Sequence, residues 1–393
     1  MTEQLIKEKK SKVNDTIDEL KPALAELARK IHKNPEIQFE EVKASTWLAE
    51  MSESSGFEVT KSIGGLETAF KADFQGAGSG PVIALLAEYD ALLDVGHACG
   101  HNLICTAALG AAIGMSRHMN DVPGTIQIIG TPGEEGGGGK IILAEKGIFN
   151  DIDAAMMVHP MNKTVLWKHT LARHKLFVEF AGRASHAASD PYNGINALDA
   201  VIQTFNGINA LRQQITEDAR IHGIITNGGT SPNVIPEYAS ALFYIRALDN
   251  DYCNKLLEKV RQCAHGAALA SGTNISLEMQ GYYKSIKNNN TYDGVFRKNL
   301  ESLGWTFTEE DPKLNIGSSD IGEVSHIVPV IHPYMKIGPA EMTCHTREFA
   351  EAAASEKGMD TMIDAAKAMA MTAVDLLLNP SHLEAIRREF EGK

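Results

Sequence analysis

Three side chains that bind metals well stand two residues apart in the stretch 87–102, AEYDALLDVGHACGHN: His97, Cys99 and His101. Glu88 and Asp90 lie just upstream. A thiolate and an imidazole at that separation can reach one small, borderline-soft cation, zinc first and manganese or cobalt next. The competing reading is a buried thiol with histidines that cap a helix or sit in a core. For this cluster, metal is favoured over that reading by about two to one.

A second constellation is GTPGEEGGGGK at 130–140. The adjacent carboxylates Glu134 and Glu135 repel, and a cation or a proton relieves the repulsion. One can ligate while its neighbour takes a proton from an activated water. Taken alone, such a pair is more often a solvated acidic turn. A phosphate-binding loop is excluded, because Glu134 stands five before Gly139 where glycine is required and Ile141 follows Lys140 where Ser or Thr is required. His159 closes an apolar run and His345 lies in the polar phrase EMTCHTREF; each alone is more often structural. Further along are His186 in GRASHAASDP, Asn233 in GGTSPNVIP and Arg246 at the end of ALFYIR. An Asn and an Arg can hold a carbonyl oxygen and a carboxylate, although each alone reads as a turn or ion-pair residue.

The elements that must position these residues follow from the hydrophobic pattern. Ile17, Leu20, Leu24, Leu27 and Ile31 form one face of an amphipathic helix that Asn34-Pro35 ends. Strands are predicted at 57–61, 67–74, 81–87, 125–130 and 152–158, and helices at 106–119 and 137–146. Their alternation predicts an α/β domain with a mostly parallel sheet. From about 168 the order changes to strand 175–180, helix 197–211, strands 221–226 and 239–247, helix 252–269 and strand 274–279. That is the split β-α-β-β-α-β unit. The α/β character resumes after 284 and ends in a long helix over about 355–378. The expected organisation is therefore a catalytic domain, 1–168 and 285–393, interrupted by an inserted ferredoxin-like domain, 169–284.

The 393 residues, 44 % apolar and 22 % charged, suit a globular two-domain protein. A net charge of −13 argues against nucleic acid or an anionic membrane as partner. Five scattered cysteines (99, 105, 253, 263, 344) fit a reducing compartment. The start MTEQLIKEKK lacks the apolar core of a signal peptide, and no apolar run is long enough to span a membrane. A cytoplasmic location is expected.

With these stretches in view, nearly the whole chain resembles metallopeptidase family 20, the aminoacylase and carboxypeptidase family with two co-catalytic metals. The resemblance rests on RKIHKNPEIQFEE, AEYDAL, GHACGHNL, GTPGEEGGGGK, VHP, GRASHAASDPYNGINALDA, NVIP, GSSDIGEVSHIVP and the late CHT. The Cys-Gly-His and four-glycine runs are most similar to the amidohydrolase branch, which includes aminobenzoyl-glutamate hydrolases and β-alanyl-lysine-type dipeptidases. The resemblance implies Cys99 as the bridging ligand and His101, Glu135, His159 and His345 around a metal pair, zinc or manganese. It implies Glu134 as general base and Asp90 as an orienting carboxylate. His186 would reach a partner subunit's site in a homodimer joined through the inserted domain. Asn233 and Arg246 would contact substrate. The implied reaction is amide hydrolysis by a hydroxide bridging the metals, on an N-acyl or aryl-amide amino acid or a dipeptide. Two departures stand out: Leu93 where Pro is common, and Asn102 where many branch members have Asp. The family pattern does not use His97 as a ligand. The rival readings are a binding homologue without catalysis and a deacetylase of a biosynthetic intermediate.

Overall fold

The computed structural model describes residues 3–309, 311 and 316–393. The chain divides into two compact units. One comprises Met1–His169, Ile286–Ile316 and Glu323–Lys393, and the other Thr170–Ser285 with Gly317–Gly322. The short 317–322 segment therefore groups with the second unit, a detail absent from the sequence division.

The strands, in chain order, are β1 (Glu58–Lys61), β2 (Phe70–Gln75), β3 (Val82–Glu88), β4 (Thr125–Thr131), β5 (Ala154–Met156), β6 (His159–Met161), β7 (Ala172–Ala181), β8 (Arg220–Asn227), β9 (Tyr238–Ala247), β10 (Asn274–Tyr283), β11 (Val330–Ile331) and β12 (Tyr334–Lys336). In the first unit the main sheet has the order β1-β2-β4-β3-β5-β11. The pairings β3–β4, β3–β5 and β5–β11 are parallel, while β1–β2 and β2–β4 are antiparallel. Apart from partly buried Val82, β3 is buried along its length, as its unbroken apolar run requires of a central parallel strand.

Helix His101–Ser116 is buried at every residue. It packs on helix Glu3–His32 through two glycines four residues apart. A Cβ at Gly110 would come within 2.7 Å of Leu24, and one at Gly114 within 2.5 Å of Ile17. Leu24 and Ile17 belong to the predicted apolar face and are fully buried. The helix begins at His101, five residues before the predicted start. The reason is Gly100, which takes the left-handed conformation (φ 77°) at its N-cap. The run predicted as one strand over 152–158 contains only β5, and β6 follows it into a separate two-stranded sheet with β12. Strand β2 starts at Phe70 because 66–69 form a turn, the Ala69 N–H donating to Leu66 O at 3.1 Å. Helix Val42–Ser54 had no sequence expectation.

In the second unit β7–β10 form one antiparallel sheet of order β10-β7-β9-β8. Helices Ala197–Leu211 and Asn250–Ser271 connect the strands and pack on one face, where Leu176, Val178, Phe180, Phe243 and Ile245 join Val201, Ile208, Leu256 and Val260 in a core. Asn196 and Asp249 cap these helices by accepting N–H bonds from Leu198 (3.0 Å) and Tyr252 (2.7 Å). This is the expected split β-α-β-β-α-β arrangement. Among the described residues no helix is long and apolar enough to cross a membrane.

Candidate metal centre

The donors of the first unit gather at the carboxyl ends of its parallel strands, where open α/β sheets place their ligands. Glu88 is the last residue of β3, and Asp90 follows it. The loop 132–138 follows β4 and carries Glu134 and Glu135. His159 begins β6, and His101 opens its buried helix. His345 precedes helix Arg347–Ala354 and adopts φ 65°, a conformation uncommon for a side chain other than glycine.

Ligand atoms of Cys99, His101 and His159 lie within 4.8 Å of one another. The same holds for Cys99, Glu135 and His345, and for His101, Glu134 and Glu135. Cys99 Sγ is 3.5 Å from His159 Nε2. Glu135 Oε1 is 3.3 Å from His345 Nε2 and 4.0 Å from His101 Nε2. Yet Glu135 Oε1 and His101 Nε2 are buried and make no hydrogen bond. Buried polar atoms normally find partners, and a cation held among these donors would complete both.

The electrostatics are consistent with that cation. Burial disfavours a charged His101, but the carboxylates of Asp90, Glu88 and Glu135 overcome it and hold its pKa well above the ordinary histidine value. Burial likewise opposes an ionised Asp90, and His101, the Glu135 N–H and Lys140 reverse this and hold its carboxyl low. Asp90 at Nδ1 and Glu88 and Glu135 at Nε2 thus favour positive charge around His101, which at Nε2 a cation supplies as well as a proton. Burial, with His101, pushes His159 down to about 4. Its ring is therefore neutral, with Nδ1–H donating to Pro160 O at 2.6 Å and a lone pair on Nε2 toward Cys99. That is the ligand form of histidine. A donor set of one thiolate, imidazoles and carboxylates fits two borderline divalent cations.

Several supports escaped the sequence reading. Lys140 is wholly buried and paired with Glu88, so the lysine ending the glycine run has a charge to neutralise. Cys344 hydrogen-bonds Cys99 and lies 3.5 Å from Met161 Sδ; its only signal was adjacency to His345. His97, which spacing alone admits, joins none of these donor groups. Burial, then His101 and His32, push its pKa down to about 3 and keep it neutral.

His186, Asn233 and Arg246 belong to the second unit. The first two share one loop pair: the Ala187 N–H donates to Asn233 O at 3.0 Å, and His186 bridges Val234. Both are exposed. His186 Nδ1 accepts N–H bonds from Ala188 and Ser189 at 3.2 Å. Arg246 lies elsewhere, on β9 opposite Arg173 of β7. Its Nη1 donates to Ser318 Oγ at 3.1 Å. Both guanidiniums stack on Tyr244, and the Nε of each is buried without a hydrogen bond. Arg173 was not singled out in the sequence, since it lies in a strand without a recognisable motif.

Residues 87–368 match the profile of peptidase family M20/M25/M40. The chain is 38 % identical to mouse Xaa-Arg dipeptidase over 98 % of its own length and 92 % of the relative's. It is 31 % identical to one of the subunits of Escherichia coli p-aminobenzoyl-glutamate hydrolase, over 96 % of this chain and 94 % of the relative. A solved dinuclear metal-binding peptidase from Bacillus subtilis superposes with a TM-score of 0.72 at 21 % identity, covering 92 % of this chain and 99 % of that one. The last likeness speaks to the fold alone.

Proposed function

The chain belongs to peptidase family M20/M25/M40, and on that premise we propose that it hydrolyses the amide bond of a dipeptide or of an N-acyl or aryl-amide amino acid. Metal-dependent hydrolysis of amide bonds is the chemistry of the family. The observation that carries the reading to this chain is the convergence of Glu135 Oε1 and His101 Nε2, buried and without a hydrogen bond of good geometry, on Cys99, His159 and His345. These five residues hold two divalent cations, zinc or manganese. When bound, such ions acidify water and polarise a carbonyl oxygen.

The chain's own groups do the rest. Glu134 accepts the proton of the attacking water and passes it to the departing amine. Asp90 fixes the His101 tautomer by accepting Nδ1–H. His186 donates to the oxyanion as the carbonyl becomes tetrahedral. Asn233 and Arg246 hold the substrate's carbonyl and carboxylate, and the adjacent positive charges of Arg246 and Arg173 favour an acidic substrate end. The protein works as a cytoplasmic homodimer joined through the second unit, with His186 serving the partner's metals. Edge strand β8, with Ile224 and Ile225 exposed, is suited to such pairing.

The test is a panel of dipeptides and N-acyl amino acids assayed by mass spectrometry, with chelated and with zinc- or manganese-loaded protein. Turnover that a chelator abolishes and added metal restores is expected. Undiminished turnover by rigorously metal-free protein would overturn the reading.

A further inference from the structure

The phrase EIQFEE at 36–41 is part of the stretch that carries the family resemblance, but the sequence assigns none of its residues a chemical role. In the structure it forms a platform beneath the acidic loop. Glu41 is completely buried. Its Oε1 accepts two backbone N–H bonds, from Phe39 and from Gly133, each at 2.9 Å. Its Oε2 meets the Thr68 hydroxyl at 2.9 Å. Phe39 takes a left-handed backbone (φ 62°), and its ring lies so close to the loop that a Cβ at Gly133 or Gly137 would stand 2.8 or 2.2 Å away. Gln38 closes on Gly136 in the same way, at 2.2 Å. The platform is tied to the segment carrying Asp90 as well, since the Ala91 N–H donates to Glu36 O at 2.8 Å.

Gly133 immediately precedes Glu134 and Glu135. A glycine-rich loop has little side-chain packing of its own and wide backbone freedom, so its geometry has to be imposed from outside. Among the described residues, the side-chain acceptor that reaches the Gly133 N–H is Glu41. We propose that Glu41 is a positioning residue for the hydrolytic reaction: by accepting the Gly133 N–H it sets the placement of Glu134 and Glu135. This rests on the roles given above to those two glutamates, while the hydrogen bond itself does not. The carboxylate serves here as a shaped acceptor of fixed reach. Its charge is incidental, because both groups on Oε1 are neutral N–H donors and Thr68 can either give or take a hydrogen bond.

Two substitutions separate reach from charge. Glu41→Gln keeps the length and an oxygen for both N–H groups, and its NH2 can donate to Thr68. Glu41→Asp keeps the charge and loses one methylene, too short to hold Gly133 and Phe39 together. The readouts are kcat and KM at saturating metal, together with amide hydrogen exchange across 133–138. The Gln variant should match the parent in both. The Asp variant should lose about ten- to a hundred-fold in kcat, with KM within about threefold, the scale expected of an ångström-level misplacement. Its 133–138 amides should exchange at least about tenfold faster while those of the helix at 101–116 stay protected. An Asp variant with parental exchange and kcat, or a Gln variant as impaired as Asp, would overturn the proposal. If no amide substrate is found at all, the exchange pattern still decides the role of Glu41 separately from the proposed reaction.

Discussion

Asp90 grips His101 and Glu135 at once. One carboxylate oxygen faces His101 Nδ1 at 3.0 Å, and the other accepts the backbone N–H of Glu135 at 2.9 Å. Two of the proposed ligands are thus oriented by one side chain that touches both and needs to coordinate neither. Both of its oxygens must be acceptors. In Asp90→Asn the amide NH2 would face either the Nδ1–H or the Glu135 N–H, setting donor against donor. Metal affinity should fall by about ten- to a hundred-fold, the usual cost of removing an outer-sphere partner. Competition with a coloured chelator measures it, and affinity within about twofold of the parent would sink the argument.

Glu134 and Glu135 should separate cleanly. Glu134→Gln keeps the side chain's size and removes its basicity. It should retain both metals by elemental analysis and lose at least about two decades in kcat. Glu135→Gln should instead lower the metal content. The reverse pattern would exchange the two roles.

The site was legible in the sequence wherever a side chain announces its chemistry. His101, Glu135, His159 and His345 are metal-competent types at strand or helix ends, and the structure brings them within a few ångströms. Glu41, Lys140 and Arg173 were illegible for one shared reason. Each acts through a partner more than fifty residues away or across a sheet, and neither periodicity nor motif encodes such a pairing. The fold behaved similarly. Long periodic runs such as 197–211 coincide with a helix end to end. The start at His101 depended on Gly100, whose cap is fixed by packing: a Cβ there would stand 2.5 Å from Pro160.

Glu41 also makes the stability pH-dependent. Burial above all, with Asp90 adding to it, pushes its carboxyl up to about 7, whereas an unfolded chain titrates it near the ordinary value of about 4.3. Between these pH values the folded state holds a proton that the unfolded state has released. The contribution is therefore complete below about pH 4 and is lost as pH rises through about 7, by about 4 kcal/mol. Glu41→Gln cannot titrate. Chemical denaturation of the two proteins from about pH 4.5 to about pH 8 should show the variant gaining on the parent as pH rises. A constant difference across that range would mean that Glu41 does not titrate between the two states.

The dimer reading predicts complementation. Glu134→Ala and His186→Ala should each be inactive. After subunit exchange, the mixed dimer holds one site with an intact Glu134 from one chain and an intact His186 from the other. Activity should return on mixing. Mixed dimers that are folded, metal-loaded and silent would remove His186 from the partner's site.

The insertion of the second unit sets an order of events during synthesis. A ribosome releases Cys99, His101, Glu135 and His159 first, then all of Thr170–Ser285, and His345 only afterwards. The nascent chain therefore carries only part of the proposed donor set while an entire sheet and its two helices emerge. Helix Glu3–His32, strands β1–β6 and the helix at 101–116 all precede the insertion, so the elements that position Cys99, His101, Glu135 and His159 are made before it. If His345 completes the proposed donor set, the full metal pair can be held only once the last quarter of the chain has been made.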